Sequence, residues 1–159
     1  MRWNATVRRA RTADVGPIAA LVNGFAAEDV MLPRTPEQVA LALDDYVVAT
    51  DAHGRLLACG ALREYSPSVA ELVSLAVARE AQGLGLGRLI VAEVERLALK
   101  RGFTSLFAHT VSPHFFEAVG YAAVDRTLFP EKCARPQTTC VRRQLVAARP
   151  QSQHLAEAA

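Results

Sequence analysis

No stretch of the 159-residue chain approaches the roughly 20 consecutive apolar residues that a membrane-spanning helix needs. The opening Met1-Arg2-Trp3-Asn4 lacks the apolar run of a secretory leader. An excess of charge of one sign is missing too. Eighteen Lys and Arg against sixteen Asp and Glu leave a net charge of +2, too small to point to nucleic acid or an anionic membrane as the main partner. The three cysteines, Cys59, Cys133 and Cys140, form no even disulfide framework. Cys133 and Cys140 are separated by six residues with no His-x-x-His nearby, so a four-ligand zinc site is not supplied and no metal is expected. Internal repeats and low-complexity segments are also missing. These absences predict a soluble, cytoplasmic, metal-free protein.

What is present is ordinary globular composition, 51% hydrophobic and 21% charged. That rules out disorder across the whole chain. The length suits one domain, expected over residues 1–146, with 147–159 as a flexible tail poor in periodic core residues.

Strands and helices mix along the chain. Residues 6–10 alternate weakly as a strand. Thr12 and Asp14 start a helix with Ile18, Leu21, Val22 and Phe25 on one face. Thr35-Pro36-Glu37-Gln38 starts another, with Thr35 as cap, Pro36 in the first turn and Gln38 reaching back; it is predicted to run to about Leu43. Strands at 46–50 and 56–62 form a hairpin around Asp51-Ala52-His53-Gly54. A strand over 70–77 is predicted to put Glu71, Val73, Leu75 and Val77 on one face. A helix over 87–101 buries Ile90, Val94 and Leu97 and stops at Gly102. A strand at 105–110, a short helix at 113–119 and strands at 122–127 and 139–145 follow. The order predicts an α/β or α+β fold around a mixed sheet.

The most informative segment is Gln82-Gly83-Leu84-Gly85-Leu86-Gly87-Arg88, between a strand and a helix of about four turns. Glycines let a ligand approach the main chain, and the positive helix end favours an anion, phosphate being the usual one. The spacing Gly-x-Gly-x-Gly is not the dinucleotide fingerprint, and Gly87-Arg88-Leu89 lacks the Lys-Ser/Thr of an NTP-binding loop.

The spacing Gln82-x-x-Gly85-x-Gly87 does resemble the Gln/Arg-x-x-Gly-x-Gly/Ala signature of the GNAT superfamily of acetyltransferases. Leu75-Ala76-Val77 before it and the run Phe115-Phe116-Glu117-Ala118-Val119-Gly120-Tyr121 after it look like the family's flanking pieces, and the resemblance covers roughly residues 6–145. It implies a mostly antiparallel mixed sheet flanked by helices, with a splay between two central parallel strands that holds acetyl-CoA. Gln82, Gly83, Leu84, Gly85, Leu86, Gly87 and Arg88 would cradle the pyrophosphate. Leu75, Ala76 and Val77 would line the pantetheine, a backbone N–H near Val77 serving the thioester oxygen.

Within the superfamily the chain looks most like the short, single-domain N-acetylglutamate synthase branch. The matching pieces include Met31-Leu32-Pro33-Arg34-Thr35, Ala70-Glu71-Leu72-Val73-Ser74 and Leu128-Phe129-Pro130-Glu131-Lys132-Cys133. The implied reaction acetylates the α-amine of L-glutamate and feeds arginine synthesis. Arg34 matches the branch's substrate-binding arginine, and a planar fork suits a carboxylate. A second cation is expected among Lys132, Arg135, Arg142 and Arg143, with Lys132 and Arg135 favoured. Glu71 matches the branch's glutamate and would serve as base, directly or through a water. The position where many GNAT enzymes carry an acidic tyrosine is Phe116, so Ser112 or Thr110 is expected to protonate the thiolate, with His109 and His114 as lesser candidates. Superfamily members often pair, so a homodimer is a further implication. Two other functions stay open: acetylation of a different amine, and binding of acetyl-CoA without turnover.

Overall fold

The computed structural model describes residues 4–130 and 135–145. Along the chain come β1 (Thr6–Arg9), α1 (Val15–Ala26), α2 (Pro36–Leu41), β2 (Tyr46–Thr50), β3 (Leu56–Glu64) and β4 (Val69–Val77). They are followed by α3 (Leu86–Lys100), β5 (Ser105–Thr110), α4 (Pro113–Ala118), β6 (Ala122–Ala123) and β7 (Thr139–Gln144). Among the described residues the strands form one seven-stranded sheet in the order β1-β2-β3-β4-β5-β7-β6. Every neighbouring pair is antiparallel except β4–β5. No helix in the described residues is long and apolar enough to cross a membrane.

Local chemistry explains the element starts. Thr35 accepts from the Gln38 backbone N–H while the Gln38 side chain accepts from the Thr35 N–H, so both orphan donors are satisfied and α2 begins at Pro36. That helix stops at Leu41, short of the expected Leu43, because a 3-10 turn over Leu43–Asp45 takes the chain into β2. Ile90, Val91, Val94, Leu97 and Ala98 of α3 are buried against one sheet face, together with Phe116 of α4 and Tyr121. Ile18, Ala19, Val22 and Val39 of α1 and α2 bury the other face against Tyr46, Val48, Cys59, Ala61 and Ala76. Burial alone pushes the Cys59 thiol up to about 12, so it stays a neutral core group.

Two strand expectations need correction. Ser74 sits in the left-handed region at φ 56°, and the β3–β4 register shifts between Cys59 and Ala61. This bulge reverses the alternation of β4. Ala70 and Leu72, then Leu75 and Val77, face α3, whereas Val73 and Ala76 face α1. Glu71 and Val73 therefore share a face with Ala76, not with Leu75 and Val77. The strand expected over 122–127 is only Ala122–Ala123, because Asp125 accepts from the Thr127 N–H and folds Arg126–Leu128 into a 3-10 turn. The expected tail, 147–159, lies outside the described residues.

Candidate active site

β4 and β5 pair through only three rungs, Val69 with Ser105, Ala70 with Leu106 and Glu71 with Phe107. Beyond Glu71, β4 runs on to Val77 still paired to β3, and β5 runs on to Thr110 still paired to β7. The two central strands thus diverge, and the parallel edges past Glu71 have no rung between them. A cavity of about 910 Å³ opens in this splay. Its walls include Glu71 at the apex, Leu75, Ala76 and Val77 on one strand, Thr110 at the end of the other and Ser112 just beyond it.

The glycine turn closes the wide end. Gly83 and Gly85 have φ of 79° and 85°, a region only glycine enters without strain, and an added Cβ at either would meet nothing within 4 Å. The turn is therefore dictated by backbone conformation and faces open space. Gly85 immediately precedes α3, a helix of 15 residues, so the helix N-terminus, which has no side-chain cap, borders the cavity. Gln82 braces the turn, its Nε2 donating 3.0 Å to the Val77 carbonyl. Gln82, Gly83, Gly85, Leu86, Gly87 and Arg88 all line the cavity; Leu84 does not and is 43% exposed.

The narrow end is polar. Glu71 is buried at 7% exposure, which excludes a solvated strand-edge carboxylate. It lies close enough to Cys140 that, after burial, its charge helps push that thiol up to about 11. Arg34 lines the cavity from the α1–α2 loop. Asn23 of α1 accepts from the Arg34 N–H at 2.9 Å and donates to the Arg34 carbonyl at 2.7 Å, so the backbone of Arg34 is clamped. Tyr46, 2% exposed, donates 3.2 Å to Ser74 Oγ. Burial pushes that phenol above its ordinary range, an effect opposed by Ser74 and by the nearby Arg34. Asn23, Tyr46 and Ser74 escape sequence reasoning because their partners are 11 and 28 residues away.

Arg135 lines the cavity with its Nη1 on the Asp29 carbonyl at 2.8 Å and on Asp29 Oδ1 at 3.0 Å. Lys132 lies outside the described residues. Arg143 points to the far face, where it donates to Glu95 Oε2 at 2.9 Å and to the Val119 carbonyl at 3.0 Å. Thr110 Oγ1 accepts from the Ser112 N–H at 2.8 Å, which brings the two hydroxyl residues together at the cavity wall. His109 lines the cavity edge-on to Phe107, whereas His114 is exposed beside Glu117. Phe116 is a wall residue, and no tyrosine stands among the described lining residues. The described residues hold no cluster of three or more metal-ligating side chains.

Comparison with known proteins agrees with this architecture. Residues 22–122 match the profile of the acetyltransferase (GNAT) family. The chain is 36% identical over 137 residues to the uncharacterized N-acetyltransferase CT2212 of Chlorobaculum tepidum, covering 86% of this chain and 88% of that one. It is 30% identical over 134 residues to the amino-acid acetyltransferase of Mycobacterium tuberculosis, covering 80% and 76%. In structure it resembles N-acetylglutamate synthase from Neisseria gonorrhoeae, solved with coenzyme A and N-acetyl-glutamate, at a TM-score of 0.80 and 22% identity. That match covers 90% of this chain and 35% of the other. A profile match over most of the chain, a relative of similar length and a shared splayed sheet lead to one conclusion: the chain belongs to the acetyltransferase (GNAT) family.

Proposed function

We propose that this chain acetylates the α-amine of L-glutamate, the reaction that feeds arginine synthesis. As a GNAT acetyltransferase it takes its acetyl group from acetyl-CoA, which supplies an activated thioester. The residues present suit that co-substrate. Positive-φ glycines face open space at the start of a long helix, and an unpaired β4 edge leads from them to a buried carboxylate.

The observation that carries the acceptor assignment is that Arg34, Glu71 and the glycine turn open on one cavity. An amino acid with two carboxylates needs cations beside the amine, and Arg34 offers a rigid fork. In the 30%-identical relative from Mycobacterium tuberculosis the named activity is amino-acid acetylation. Glu71 takes the amine proton, directly or through a water, as the nitrogen attacks the thioester carbonyl carbon. A backbone N–H near Val77 donates to the developing oxyanion. The carbon–sulfur bond then breaks, and the thiolate receives a proton relayed by the hydroxyl of Thr110 or Ser112. Ser112 is exposed and so can draw that proton from solvent.

The test is thiol release from acetyl-CoA by the purified protein, offered glutamate, glutamine, aspartate and a polyamine in parallel. Turnover should be strongest with glutamate. Preference for the polyamine or glutamine would assign a different acceptor, and saturable acetyl-CoA binding with no thiol release from any amine would make the chain a binding module.

A further inference from the structure

Among the described residues five arginines line the cavity: Arg34, Arg63, Arg79, Arg88 and Arg135. Their guanidinium groups are not equally available. Arg79 pairs with Glu28 and lies over the Phe25 ring, 5.2 Å from its centroid. Arg135 is held by both the carboxylate and the carbonyl of Asp29. Arg88 lies in the first turn of α3, beside the glycine turn. Arg34 donates from Nη1 to its neighbour's carbonyl, Pro33, at 2.9 Å. Among the described residues no hydrogen bond or ion pair engages the guanidinium of Arg63 or of Arg88; Arg88 belongs to the glycine-turn end of the cavity, whereas Arg63 lies on the strand that pairs with Glu71.

The position of Arg63 is set by the sheet. It stands on β3 directly opposite Glu71. Opposed residues of an antiparallel pair carry their Cβ atoms on the same face, about 4.5–5.5 Å apart. That face is the one covered by α1, since Ala61 and Val73, each two residues from this rung, both pack with the α1 cluster. Arg34 enters the cavity from the α1–α2 loop on the same side. Arg63 is thus an exposed cation with no partner among the described residues, one strand from the proposed base and on the wall of the cavity that Arg34 also lines.

We propose that Arg63 binds one of the two carboxylates of the acceptor amino acid and, with Arg34, sets the preference for a dicarboxylate. This rests on the glutamate reading above. Arg63 then takes the part that sequence reasoning gave to Lys132 or Arg135, and Arg135 instead ties the late loop to Asp29. A guanidinium–carboxylate contact of this kind is worth about 10–100-fold in affinity.

The experiment measures kcat and KM for Arg63→Ala, Arg63→Lys and Arg135→Ala beside wild type, on glutamate, glutamine and the α-amide of glutamate, with thermal melts to confirm folding. Arg63→Ala is expected to raise KM for glutamate about 10–100-fold, to leave KM for acetyl-CoA within about 2-fold, and to lose the preference for glutamate over whichever amide removes the carboxylate that Arg63 binds. Arg63→Lys should recover part of that loss. Unchanged glutamate preference in Arg63→Ala, or its loss in Arg135→Ala alone, overturns the assignment. So does a shift in the pH profile of kcat/KM with no change in acceptor preference, since Arg63 would then act through Glu71. Wild type that prefers a neutral or cationic amine overturns the glutamate reading itself, an outcome visible before any variant is made.

Discussion

The phenol of Tyr46 donates to the hydroxyl of Ser74 at 3.2 Å, and Ser74 is the residue whose left-handed backbone bulges β4. A non-glycine residue at φ 56° is strained and persists only when its surroundings hold it there. Tyr46 from β2 supplies one restraint, and Cys59 Sγ, 3.3 Å from the Ser74 carbonyl, supplies another. The bulge is what sends Glu71 to the α1 face while Leu75 and Val77 turn to α3.

Tyr46→Phe is expected to cost about 0.5–1.5 kcal/mol, because a buried hydroxyl loses its donor. Ser74→Val should cost more, about 1–3 kcal/mol, since a β-branched side chain resists positive φ, and it should weaken acetyl-CoA binding by straightening β4. Denaturant melts and binding titrations check both. A Ser74→Val protein with wild-type stability and affinity would mean the bulge does not depend on that residue's conformation.

Gly85→Glu is expected to abolish acetyl-CoA binding. The site has room for a Cβ, so the loss comes from a strained backbone at φ 85° and from a carboxylate placed beside an anion. Gly85→Ala should keep weakened binding at a stability cost of about 1–2 kcal/mol. Calorimetric titration with acetyl-CoA reads both, and wild-type affinity in Gly85→Glu would remove the phosphate cradle from the glycine turn.

Arg34→Ala should raise KM for glutamate at least about 10-fold while leaving KM for acetyl-CoA within about 2-fold. Asn23→Ala should produce a weaker effect in the same direction, because it frees the Arg34 backbone without removing its charge. Steady-state kinetics with each substrate varied in turn decides; equal effects on both KM values would make Arg34 a structural residue.

Asp14 supplies a pH-dependent share of stability. Its carboxylate accepts from Arg8 Nη1 at 2.7 Å, Arg8 Nη2 at 3.1 Å and the Arg11 N–H at 2.7 Å. The Arg8 hydrogen bonds, more than any other influence, hold Asp14 below the usual carboxylate range. A depressed acid stabilises the fold fully above its unfolded value of about 3.9, and that share is lost as pH falls through the lower folded value. Asp14→Asn should therefore lose about 1–2 kcal/mol at neutral pH and show a shallower fall in stability below about pH 4. Melts from pH 7 to pH 2.5 would show parallel wild-type and variant curves if the pair contributes nothing.

Features governed by short-range chemistry can be read from residue spacing alone. The Thr35–Gln38 capping box, the five-residue connection between β2 and β3, the apolar stripe of α3 and the glycine turn before it all act within a few residues, so each is legible from spacing. The order of elements and the resemblance of the motifs were enough to expect a splayed mixed sheet. The tertiary structure decided everything that depends on register and loop contact. The bulge at Ser74 requires the β3–β4 pairing to slip, which no pattern within β4 encodes, so strict alternation misassigned the face of Leu75 and Val77. Arg135 and Asp29 meet across 106 residues of chain, and Arg63 faces Glu71 only because two strands align. A side chain's type and its near neighbours fix local conformation. Which charges end up facing one another is set by the long-range packing that brings distant segments into one cavity.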